Sequence, residues 1–124
     1  MYETKAHADE SYLYIRLVGM MQQAEAEECV AAVIAEGKRL RPGFSIINDI
    51  TEARPTSPEI AEIIKKGQTA LFAMGARRVI RIVGPGAAAT SLQFARTQRE
   101  SHVGYESHIA GTLEDALAIL QRIR

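Results

Sequence analysis

The stretch Tyr12-Leu13-Tyr14-Ile15-Arg16-Leu17-Val18-Gly19 decides the fold. Leu13, Ile15 and Leu17 recur at every second position, with Tyr12, Tyr14, Arg16 and Val18 between them. Successive side chains of a strand point to opposite faces, so this period of two predicts a strand over 12–18. Its aliphatic face belongs to a core; the other face is more polar. Upstream, Tyr2 to His7 reads as a short partner strand, with Ala8-Asp9-Glu10-Ser11 as the turn between the two.

Beyond Gly19 the period changes. Ala26, Cys29, Val30, Val33, Ile34 and Gly37 fall at helical spacing, and Arg41-Pro42-Gly43 stops that helix. Phe44 to Ile50 is a second core strand, and Glu52-Ala53-Arg54-Pro55 reads as a loop. Thr56-Ser57-Pro58-Glu59 starts a helix: a hydroxyl caps a free amide, and proline loses nothing in the first turn, where its missing N–H has no partner. Ile60, Ile63, Ile64, Gly67, Leu71 and Met74 form its stripe, and Gly75 ends it. Arg78 to Val83 is a third core strand. The turn Gly84-Pro85-Gly86 feeds a helix over about Ala88–His102, and Tyr105 to Ile109 is a fourth core strand. Thr112-Leu113-Glu114-Asp115 opens the last helix, with Leu113, Ala116, Leu117, Leu120 and Ile123 on one face. The order β-β-α-β-α-β-α-β-α predicts an α/β fold whose strands are mostly parallel, joined by right-handed crossovers.

Composition narrows the function classes. The chain has 124 residues, which sets an expectation of a single domain over 1–124. Fifteen basic residues balance fifteen acidic ones, so no overall positive field argues for nucleic acid. The one cysteine excludes an internal disulfide framework and a four-cysteine zinc site. His7, His102 and His108 lack ligand spacing, so neither metal nor cofactor is expected. No apolar run approaches the roughly 20 residues that cross a bilayer, and the start lacks the apolar centre of a signal peptide. A cytoplasmic protein is the expectation, with no membrane insertion.

The strand 12–19 ending in glycine, and Phe44-Ser45-Ile46-Ile47-Asn48-Asp49-Ile50 closing on an aspartate, resemble the first two core strands of STAS domains, the sulfate-transporter and anti-sigma-factor-antagonist domains. The element order matches over the whole chain. Gly104-Tyr105-Glu106 and Thr112-Leu113-Glu114-Asp115-Ala116 are similar to STAS-like bacterial proteins of unknown role. The resemblance implies a mixed, mostly parallel sheet with helices largely on one side. It also implies a non-enzymatic regulatory module that binds partner proteins. In antagonist members a serine at the start of the second long helix is phosphorylated. Ser57 is the nearest counterpart here, with Thr56 as a substitute; no aspartate precedes either, and Pro58 follows.

Other residues carry alternative readings. Asp49, read as a strand end, stands where open α/β sheets bind ligands. With Ser57 and Gly86 it marks a site for an anion or small apolar molecule, which makes a small-ligand carrier the second reading and an enzyme using Asp49 the third. Free amides after Gly84-Pro85-Gly86 are anion-friendly, although the turn lacks a P-loop ending. Arg77, Arg78, Arg81, Arg96 and Arg99 oppose a run of Glu25, Glu27, Glu28 and Glu36, an asymmetry able to steer a charged partner. Phe94, off the stripe of a polar helix, is a candidate partner contact beside Arg96. Tyr12, Tyr14 and Arg16 make the second face of their strand a candidate homodimer interface, because tyrosine and arginine are enriched at such surfaces. Arg81 and His108 are expected to continue that face, and Glu10 or Glu106 to supply acidic partners.

Overall fold

The computed structural model describes residues 1–84 and 106–123. The strands β1 (Tyr2–His7) and β2 (Tyr12–Gly19) flank a single 3-10 turn at Ala8–Glu10. Then follow α1 (Gln23–Gly37), β3 (Ser45–Ala53), α2 (Pro58–Ala73), β4 (Arg78–Ile82), β5 (Glu106–Ala110) and α3 (Leu113–Ile123). The helix expected over about 88–102 lies outside the described residues, as do Gly86, Phe94 and Arg96.

The strands form one five-stranded sheet in the order β1-β2-β3-β4-β5. The β1–β2 pair is antiparallel, with Ala6 opposite Leu13; the other three pairs are parallel. Parallel neighbours need a crossover, and the helical spacing read between the strands supplies it.

Alternation sorts the sheet into two faces. Leu13, Ile15, Leu17, Ile46, Ile50 and Val79 join Ala26, Cys29 and Val33 of α1 and Ile60 and Leu71 of α2 in the larger core. Tyr12, Ile47, Ile80, Ile82 and Ala110 face the other way, onto Ala116 and Leu120 of α3. Two of the described helices thus cover one face and the third covers part of the other. Gly75 closes the turn after α2 at φ 104°, and a Cβ there would lie 2.6 Å from the Cα of Pro42. That approach lets the Gly43 amide donate to the Gly75 carbonyl at 2.7 Å and joins the two loops entering β3 and β4.

The strand ends differ from their expectation by a single residue at most, save the end of β3, which differs by three. Residues 52 and 53, read as loop, continue β3, because a register shift between Arg16 and Val18 lets Val18 pair with Glu52 and Gly19 with Ala53. Such a bulge adds twist and re-aims the strand, and neither periodicity nor turn residues announce it.

Candidate functional site

The start of α2 is built by its own sequence. Ser57, exposed and extended at φ −66° and ψ 162°, is the N-cap, and its Oγ accepts a hydrogen bond from the Ile60 amide at 3.3 Å. Pro58 occupies the first turn and Glu59 places a carboxylate by the amide end, where the helix dipole favours it. Thr56 is half-buried beside it.

Asp49 is not a strand terminus, since β3 runs on to Ala53. It lies on the α3 side of the sheet. Its Oδ1 accepts from the Thr51 amide at 3.1 Å, and its Oδ2 accepts a long 3.5 Å bond from the Tyr14 hydroxyl. The Tyr14 hydroxyl is held above its ordinary pKa, first by burial and then by the Asp49 charge. The bonds of Asp49 go to Tyr14 and Thr51 and that of Ser57 to Ile60, and Gly86, the third residue of the expected ligand site, lies outside the described residues.

The tyrosine face is also more occupied than its alternation suggests. Tyr12 is 6% exposed, in the cluster with Ile47, and stacks on His7 across the hairpin with ring centroids 4.4 Å apart. Arg16 is held inside its own protomer by Glu3 and Glu52, each at 3.0 Å. Glu106, one of the two carboxylates expected to meet Arg16 across a dimer axis, bonds Arg78 and His108 within the chain. The His108 hydrogen bond foremost, and then the Arg78 guanidinium, hold the Glu106 carboxyl below its usual range. Arg81 does not continue the tyrosine face. It pairs with Asn48 in register and lies beside Val79's face, under α1 and α2.

There the structure holds a feature that no sequence motif announces. A cavity of about 70 Å³ lies between the sheet and the two helices. Leu17, Met21, Val33, Ile64 and Leu71 make its walls, and Asn48, Gln68 and Arg81 are its polar residues. Ile15, Asn48 and Arg81 form one row across β2, β3 and β4. Asn48 is 7% exposed and Arg81 5%. The Oδ1 of Asn48 accepts no hydrogen bond, an uncommon state for a buried acceptor. The alternation carries the signal: Asn48 stands midway between Ile46 and Ile50, and Arg81 two after Val79, on the face those residues turn to the larger core.

No metal-binding group of three or more His, Cys, Asp or Glu occurs among the described residues. None of their helices is long and apolar enough to cross a membrane.

No family model matches the chain, and no curated protein matches it. Solved structures do. An uncharacterized protein of the DUF3478 family from Shewanella loihica PV-4, described as having a SpoIIAA-like fold, superposes with a TM-score of 0.68. It is 19% identical, and the match covers 97% of this chain and 92% of that one. The fold is SpoIIAA-like. The anti-sigma factor antagonist SpoIIAA in its unphosphorylated form matches as well, with a TM-score of 0.59 and 15% identity over 98% of each chain. The STAS-like resemblance read from strand order thus holds at the level of the fold. Within this fold Ser57 stands at the N-terminus of α2.

Proposed function

We propose that the chain is a regulatory module, one domain over residues 1–124, that acts by binding a partner protein through the surface at the start of α2. Catalysis has no part in it. Likeness to an anti-sigma factor antagonist over the full chain supports the regulatory reading. The observation that carries the site is Ser57: exposed, at a helix N-cap, and using its oxygen only as an acceptor towards Ile60 in the bonds described. A phosphate there adds about two negative charges where the helix dipole tolerates them, and so changes the surface a partner meets without unwinding the helix. Asp49, with its oxygens turned to Tyr14 and Thr51, fits a structural role better than a catalytic one.

The test is intact mass after incubation with extract and ATP, joined to native mass spectrometry of protein taken from its own cells. The expected result is one added phosphate mapping to Ser57, or to Thr56 as its substitute, and a partner of defined mass whose binding differs between Ser57→Asp and Ser57→Ala. No phosphate in an extract that modifies other substrates, or a site elsewhere, overturns the switch. Protein found only alone overturns the partner reading. Ser57→Ala also removes the cap, at an expected loss of about 1 kcal/mol in urea unfolding.

A further inference from the structure

The cavity under α1 and α2 has a composition that a packing defect does not explain. A water needs roughly 10–15 Å³ of such space, so about 70 Å³ holds several non-hydrogen atoms. Its lining is mostly aliphatic, with polar side chains confined to Asn48, Gln68 and Arg81. Small-molecule sites have this make-up: apolar walls and a few placed polar groups. The second observation is Asn48, whose amide oxygen is buried without a partner between the buried aliphatic side chains of Ile46 and Ile50 on the same face of β3. An apolar residue of the same size would fill that position without the cost of a buried unsatisfied acceptor.

We propose that this cavity is a binding site for a small uncharged amphiphile, an aliphatic body carrying one hydroxyl head. The body lies along Leu17, Val33 and Leu71, and the head meets the Asn48 amide. A hydroxyl both donates and accepts, so it satisfies that amide whichever of its ends is turned to the cavity. The site stands apart from Ser57 and does not depend on the partner-binding reading.

The experiment is methyl NMR titration of the whole chain, following Ile15, Leu71 and Val79. The probes are 1-butanol and 1-methoxypropane, short enough for the cavity, which have the same heavy atoms but differ in the hydroxyl hydrogen, and butanoate. The expected result is saturable shifts at those methyls with 1-butanol, at an affinity roughly fivefold or more above that of the ether, the worth of one hydrogen bond. Asn48→Leu is expected to bring alcohol and ether within about twofold. Val33→Phe fills the cavity and is expected to abolish the shifts. Unsaturable or absent shifts with 1-butanol overturn the site. Equal affinities for alcohol and ether in the wild type, or an Asn48→Leu that still prefers the alcohol, overturn the role of Asn48. Butanoate binding more tightly than 1-butanol overturns the uncharged head. The wild-type comparison of the three probes decides the matter even where a variant does not fold.

Discussion

Cys29 sits on the buried face of α1, against the sheet. Burial pushes its thiol up to about 11, and the nearby Glu25 carboxylate adds to the shift. The thiolate is the reactive form, so at pH 8 the folded chain is expected to react with a disulfide reagent roughly 100-fold more slowly than the unfolded chain. The same shift bears on stability. The folded state keeps its proton where the unfolded state, near 9.0, has lost it. The contribution is therefore fully present below that value and lost as pH rises towards about 11. Urea midpoints measured across this window are expected to fall, and to fall less steeply in Cys29→Ala. The Tyr14 hydroxyl, also raised, acts in the same sense and remains in both proteins. A wild type and variant with parallel curves would show that Cys29 is solvated in the native state.

The helix α3 makes its contribution through few residues. Ala116 and Leu120 are buried against Ile47 and Ile80, while Leu113, on the stripe read from spacing, is 41% exposed. Leu120→Ala is expected to cost on the order of 2–5 kcal/mol through lost burial and a cavity, and Leu113→Ala less than about 1 kcal/mol, by urea unfolding. Similar losses at both would mean that α3 is rotated on the sheet. The order of the elements was legible because each carries its own period and its own stop, such as Ser57-Pro58 before α2 and Gly75 after it. The extension of β3 to Ala53 was not, because it depends on a bulge in a different strand. Nor was the cavity. Arg81 was expected on the tyrosine face, and Asn48 carried no face at all; whether two helices close over such residues or leave space beside them depends on distances between elements far apart in the chain. The cap, by contrast, is a local device: four residues announced the helix start and offered two hydroxyls for it, of which Ser57 takes the role.

At the scale of the whole molecule, a homodimer through the second face of β2 rests on Tyr14, since Tyr12 is engaged by His7 and Ile47 in its own protomer. The expected outcome is a wild type that sediments as a dimer at about tens of micromolar, where a 10⁻⁶ M complex is formed. A folded Tyr14→Glu is expected to sediment as a monomer. Tyr12→Glu puts a charge into a site 6% exposed and is expected to lose about 3 kcal/mol or more, so it reports on folding and not on association. A monomeric wild type, or a Tyr14→Glu that remains folded and dimeric, removes the dimer.

The sheet's mixed connectivity bears on how it assembles in time. Only β1 and β2, among the described pairings, meet across a tight turn; each of the others must first close a long loop through its crossover. The entropy of that closure is lost before the contacts that repay it form. The hairpin is therefore the natural early template, and the docking of β3 onto Leu13 and Ile15 the step that sets the rate. Substitutions that loosen Ile46 should slow refolding, while those in α3 should chiefly speed unfolding.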